Sequence, residues 1–187
     1  MAPQPDVSGL HRFIYRPFPD NEAYIRLLDI LPGKGDEILR CSTVHISREE
    51  SVDTYEPISY SWGVATDREE IICDEQRLVI VASLAVALRR FRLEDKPRRV
   101  WADGVCVNQR DLEEKGPQVK HMGTVYEQGT RTLIWLGEDT LGIALDTFKL
   151  VEETVSYLDE LFNERGEWSF PKARAIDDCP RRHGVRR

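Results

Sequence analysis

The sequence predicts an α/β fold with a partly parallel sheet. Short runs rich in β-branched and aromatic residues, at Tyr55 to Trp62, Arg99 to Val107 and Thr132 to Leu136, are of the type that forms strands. Segments with helical spacing separate them: Leu84, Leu88 and Phe91 recur at i, i+4 and i+7, and Val119, Met122 and Tyr126 at i, i+3 and i+7. Strand and helix therefore alternate, which is the pattern of a layered α/β chain. The length of 187 residues is enough for one domain with a substantial core.

The elements follow in order. Residues 1–22 carry Pro3, Pro5, Pro17 and Pro19 without periodicity and read as an irregular lead-in. Ala23 to Leu31 reads as a strand, stopped by Pro32-Gly33-Lys34-Gly35, and Glu37 to Ile46 as a second. The two make an N-terminal β-hairpin elaboration. Ser47 and Glu50 have capping-box spacing, but no long apolar face follows, so a single helical turn is expected. The strand from Tyr55 ends at Gly63. Glu70 to Ile80 is expected as a hairpin around Asp74-Glu75, although that turn lacks the usual Gly. Ala82 to Phe91 is a helix with Arg89 and Arg90 near its negative end. Pro97 breaks the chain, and Arg99 to Val107 reads as a buried strand throughout. Gly116-Pro117 is expected to open the next helix, since proline suits a first turn, and Gly129 to stop it. A strand from Thr132 ends at Gly137.

Ala144, Phe148, Val151, Val155, Leu158 and Phe162 then mark an amphipathic helix from Leu141. Packing against the sheet is one use of that face, and a coiled-coil partner is the other. The expected division is a lead-in over 1–22, a domain over 23–165 with its motif-bearing core at 55–137, and a basic, disordered tail over 166–187.

Composition excludes several classes. Lys and Arg number 26 against 33 Asp and Glu, a net charge of −7, which argues against general nucleic-acid binding. The longest nearly apolar run, Leu78 to Leu88, is far short of the ~18 residues of a membrane span, and no secretory leader opens the chain, so a cytoplasmic protein is expected. Cys41, Cys73, Cys106 and Cys179 are scattered singly, without metal or disulfide spacing. No GxSxG, GxxxxGK[ST], GxGxxG or HExxH motif occurs, and His11, His45, His121 and His183 stand apart.

Two polar clusters remain, each at the end of a strand. In the first, Ser59, Ser61 and Gly63 alternate with Tyr60 and Trp62. An aromatic face with hydroxyls and a glycine suits a planar ring and a sugar, and ligands of open α/β sheets lie beyond the carboxyl ends of strands. Core packing of Tyr60 and Trp62 is the alternative. In the second, Asp103 interrupts the apolar run Val100 to Val107 and precedes Asn108 and Gln109. Asp103 either caps a turn or accepts ribose hydroxyls, and Asn108 and Gln109 are candidates for reading an amide or a phosphate. Glu113, Glu114 and Lys115 read as a solvated face or a helix start.

These clusters carry a resemblance. Tyr55-Glu56-Pro57-Ile58-Ser59-Tyr60-Ser61-Trp62-Gly63 resembles the YEALSYxWG block of the fungal heterokaryon incompatibility (HET) domain, and Trp101 to Gln109 its WIDAICINQ block. Asp111, Glu114, Lys115, Gln118, Val119, Met122, Tyr126 and Ile134-Trp135-Leu136-Gly137 are similar to the continuation of that block. Ile25-Arg26-Leu27-Leu28 with Pro32-Gly33, and Ser83-Leu84 with Ala87-Leu88, also fit. Gly104 and Gly129 stand where the family usually has Ala.

The resemblance implies fungal non-self recognition and programmed cell death. It also implies a TIR-like, flavodoxin-like sheet flanked by helices, with self-association into a homo-oligomer or pairing with other cell-death proteins. By the same analogy it implies an NAD-type nucleotide as ligand or substrate, and the two clusters at the strand ends make Ser59, Tyr60, Trp62, Gly63, Asp103, Asn108 and Gln109 the expected crevice for it. The family's downstream RxWxxQE block, which would supply an acid comparable to the TIR catalytic Glu, has no match after Gly137. The reading is therefore of a C-terminally truncated or altered domain, with Asp103 as the catalytic candidate. No metal is implied.

Overall fold

In the computed structural model, residue 7 and residues 9–64, 66–139 and 141–163 are described, and they fall into two compact units that divide after Gly137. The first unit is built on a seven-stranded sheet. Its strands are β1 (Tyr24–Ile30), β2 (Arg40–Ser47), β3 (Glu56–Tyr60), β4 (Arg68–Cys73), β5 (Gln76–Val81), β6 (Arg98–Trp101) and β7 (Leu133–Trp135), in the spatial order β5-β4-β2-β1-β6-β3-β7. The sheet is mixed. β1 runs antiparallel to both β2 and β6, and β4 to β5, whereas β3 runs parallel to β6 and to β7, and β2 to β4. The fold class is α/β, as the alternation of patterns requires, and the N-terminal hairpin is β1–β2.

Helices cover the sheet: α1 (Arg48–Ser51), α2 (Ala82–Phe91), α3 (Asp103–Cys106), α4 (Leu112–Lys120) and α5 (Met122–Glu127). The Ser47 half of the capping box forms at α1, with Ser47 Oγ accepting from Glu50 N at 3.2 Å, while the Glu50 carboxylate takes the Ser47 hydroxyl at 2.8 Å in place of the backbone N–H. The β4–β5 turn forms at Asp74-Glu75, whose φ angles of 50° and 55° put both residues in the left-handed region that a tight hairpin needs. Asp74 holds that conformation with its side chain, which accepts from Thr43 N and from Thr43 Oγ1. Leu27, Leu28 and Ile30 of β1, Val100 and Trp101 of β6, and Leu84, Ala85 and Leu88 of α2 are buried together with Val105, Cys106 and Val125 in one core.

Two sequence expectations fail here. The run Arg99 to Val107 is not one strand. β6 ends at Trp101, and residues 103–106 form a helical turn in which Ala102 O accepts from Val105 N at 3.0 Å and Cys106 N at 2.7 Å. Val105, Cys106 and Val107 are buried all the same. Burial fixes the apolar composition of a short run but not its backbone period, so the two structures look alike in sequence.

Nor does Pro117 open a helix. α4 starts after Asp111, whose carboxylate caps Glu113 N and Glu114 N, and Pro117 lies inside it. Proline leaves the carbonyl four residues back without its helical donor, and Asn21 Nδ2 supplies one to Glu113 O at 3.3 Å. The expected apolar face holds at Met122 and Tyr126 but not at Val119. Val119 is exposed, while Glu114, Gln118, Met122, Val125 and Tyr126 face inward.

The second unit contains α6 (Ala144–Asn163). Asp139 caps its start, accepting from Ile143 N and Ala144 N. The helix's apolar residues Leu145, Phe148, Leu150, Val151 and Tyr157 are not covered within this unit. The expected basic tail lies outside the described residues.

Candidate functional site

Because β3 and β6 are parallel neighbours, with Glu56 opposite Val100 and Pro57 opposite Trp101, their carboxyl ends emerge side by side. The two polar clusters therefore meet. The Trp62 indole N–H donates to Asp103 Oδ2 at 3.1 Å, and the Trp62 ring lies parallel to Tyr60, centroids 6.4 Å apart. Ser83 Oγ holds the backbone from α2 by donating to Trp62 O at 3.0 Å. Gly63 has φ of +63°, a conformation that a side chain would strain, and it turns the chain out of the strand. Gln109 Nε2 donates to Asp103 O at 2.8 Å, while Asn108 Oδ1 accepts from Arg110 N at 3.3 Å, so the loop after α3 is folded back on the Asp103 turn.

The structure thus brings Tyr60, Trp62, Asp103, Asn108 and Gln109 together. Ser59 is not among them. Side chains alternate along a strand, so it points to the opposite face from Tyr60, in the register where β3 pairs with β7. Gly63 contributes conformation rather than a wall.

The Tyr60 hydroxyl is buried beside the Asp103 carboxylate and close against Gly104. Burial, reinforced by the Asp103 charge, holds its pKa far above the ordinary phenol value. A Cβ on residue 104 would sit 2.5 Å from this oxygen, which gives the glycine a steric reason.

Trp62, Gly104, Asn108 and Gln109 form one side of a cleft of about 760 Å³ that sequence reasoning did not foresee. Its other side carries Arg12, Arg68 and Arg77 among apolar residues of β5 and the lead-in, and Arg110 joins the first side on the loop with Asn108 and Gln109. These arginines are dispersed in sequence, and no spacing rule connects them.

The residues around this site match a known family. The model of the heterokaryon incompatibility protein family (HET) matches residues 55–180. The chain belongs to the HET family. Over 133 residues it is 31% identical to heterokaryon incompatibility protein 6, OR allele, of Neurospora crassa, an alignment that covers 63% of this chain and 19% of that protein. The chain thus spans only about a fifth of the length of that curated relative. No solved structure matches it.

Within the HET chain, much of the motif is architecture. Glu114, expected on a solvated face or at a helix start, is 3% exposed. It takes both Nη atoms of the equally buried Arg26, at 2.7 and 3.2 Å, and also accepts from Asn108 N at 2.7 Å. A guanidinium in an apolar strand has to be paired. Arg26 further donates to Cys106 O, Arg16 O and His45 Nε2, and lies over the rings of Phe18 and Tyr15. Burial, with the Arg26 charge adding to it, pushes the His45 pKa down, so its ring stays neutral and can accept. Gln118 Nε2 donates to Asn21 O and Tyr24 O, and its Oε1 accepts from Arg48. The Arg26 signal was visible as a charge inside Ile25-Arg26-Leu27-Leu28. Its partner, 88 residues away, was not.

Cys41 and Cys106 are buried thiols whose pKa burial raises to about 12, so neither is a nucleophile. Among the described residues no group of three or more His, Cys, Asp or Glu is arranged to hold a metal. No helix there is long and apolar enough to cross a membrane.

Proposed function

We propose that this HET chain acts in fungal incompatibility, the non-self recognition that ends in programmed cell death, and that it binds an NAD-type nucleotide at the carboxyl ends of β3 and β6. The observation that carries the nucleotide reading is the convergence of Trp62 and Asp103 there, in the crevice where open α/β sheets take ligands. The half-exposed Trp62 ring offers a stacking face for a base or nicotinamide. Asp103 is held by the indole through Oδ2, and a carboxylate there is a charge-assisted acceptor for ribose hydroxyls. If ribosyl chemistry follows, Asp103 is the candidate carboxylate for stabilising an oxocarbenium-like centre, as in glycoside hydrolysis. The incompatibility role itself is supported by the family match and the Neurospora relative.

Incubation of the purified chain with NAD, with nicotinamide release and binding both followed, tests the nucleotide reading. Binding that Asp103→Ala weakens at least tenfold is the expected result. No binding at millimolar NAD, or cleavage that Asp103→Ala leaves untouched, would remove it. Overexpression in a filamentous fungus tests the cell-death role, and normal growth with abundant protein would count against this chain as an effector.

A second reading, self-association as an interaction module, is supported by the exposed Phe148 and Val151 on α6. Sedimentation over micromolar concentrations decides it, and a strict monomer rejects it.

A further inference from the structure

The cleft beside Trp62 has a charge that the rest of the chain does not predict. The protein is acidic, at net −7, yet four arginines line this cleft, and among the described residues lining it there is no Asp or Glu. The fold brings them there. Arg68 of β4 pairs with Val81, and Arg77 of β5 pairs with Ile72, so both arginines lie on one face of the hairpin with Glu70 between them. They are separated by four residue steps of strand, about 13 Å at ~3.3 Å per residue. Arg77 is ion-paired with Glu70 at 3.2 Å.

Arg12 is laid alongside Arg77 by the lead-in, through Phe13 N to Arg77 O and Arg77 N to His11 O, both at 2.8 Å. Arg110 reaches the cleft from the opposite side, on the loop that Gln109 holds against the Asp103 turn. Neither the Arg12 nor the Arg110 side chain has an ion pair among the described residues. Like charges opposed across neighbouring strands destabilise a sheet, and a concave wall concentrates their field. Such an arrangement favours an anion with more than one charged group, and arginine forks bind phosphate oxygens in pairs.

We infer that this cleft binds the pyrophosphate of a nucleotide, with Arg12 and Arg110 as its principal clamps and Trp62 at one end carrying the base. The inference deepens the nucleotide reading above and rests on it for the base. The phosphate part stands on the arginines alone. Arg12 lies upstream of the residues that match the family model, so the clamp joins the lead-in to the HET core.

Calorimetric titration of the full chain with inorganic pyrophosphate, NAD and adenosine tests it, with Trp62 fluorescence reporting the site. The comparison is with the Arg12→Ala/Arg110→Ala double variant, whose two substitutions are exposed and whose melting curve checks the fold. Pyrophosphate is expected to compete with NAD, to bind more weakly as salt rises, and to lose about a hundredfold in the double variant, at about tenfold per charge-assisted contact. Adenosine, lacking phosphate, is expected to bind both proteins equally. Failure of pyrophosphate to bind at millimolar concentration, or equal binding by the double variant, overturns the inference. NAD binding unchanged in the double variant overturns the clamp while leaving the nucleotide site at Trp62 and Asp103. Pyrophosphate binding that the double variant loses, with no binding of NAD, keeps the anion cleft and removes the nucleotide reading.

Discussion

Glu114 and Arg26 show how a residue can look like surface and be core. Both are almost fully buried, and each satisfies donors or acceptors that the other elements leave over. Removing one partner strands a charge in the interior, so Glu114→Ala is expected to destabilise by about 3–5 kcal/mol. Urea unfolding checks this, and a loss below about 1 kcal/mol would mean that Arg26 finds another partner. At Gly104 the constraint is steric. Gly104→Ala drives a methyl group against the buried Tyr60 oxygen, at an expected cost of about 1–3 kcal/mol. Tyr60→Phe removes the oxygen that the new methyl group would meet and is expected to recover most of the Gly104→Ala loss. A double-mutant cycle measured by thermal unfolding reads the coupling directly, and additive losses would show that the clash lies elsewhere.

Among the elements, α4 is the one whose placement organises the site. Asp111 starts it, Pro117 sits inside it, and Glu114 and Gln118 tie it to β1 and to the segment before it. Asp111→Ala removes a side chain that caps two backbone donors and is expected to cost about 1 kcal/mol of stability. Asp111→Asn, which keeps an acceptor, is expected to retain most of it, and equal losses in both would mean that charge rather than capping matters. The element boundaries were legible where local chemistry sets them. The Ser47 cap, the limits of α2 and the Asp74-Glu75 turn all depend on neighbours in sequence. They were illegible where a distant group intervenes. Pro117 looked like a helix start because Asn21, which relieves the carbonyl behind it, is 92 residues away.

For the whole molecule, the sheet is cross-linked by ion pairs between elements, and these set its response to acid. Glu56 on β3 accepts from Arg98 on β6 and from Arg131 ahead of β7. Burial alone would raise its pKa, but the hydrogen bonds and charges of Arg98 and Arg131 outweigh it and the pKa falls below its ordinary value. A carboxylate with a depressed folded-state pKa contributes stability above its unfolded pKa and loses it as pH falls through the folded value. Stability is therefore expected to drop below about pH 4.5, and Arg131→Ala is expected to make that drop shallower. Urea midpoints at descending pH check this, and an unchanged slope in the variant would assign the acid sensitivity to other groups.

The sequence alone carried the fold class, the strand and helix periods, the paired clusters around Trp62 and Asp103, and the HET family. All of these are written in short-range patterns or contiguous motifs. Tertiary structure decided which polar residues work and which merely hold. It moved Ser59 to the other face through strand alternation. It ended β6 at Trp101, because a buried apolar run has no period of its own. It buried Glu114 against a charge from β1. The arginine cleft arises only when the lead-in, the β4–β5 hairpin and the loop after α3 are brought together. Electrostatic fields add through space, so four charges spread over about a hundred residues of chain become one site only after the sheet has formed.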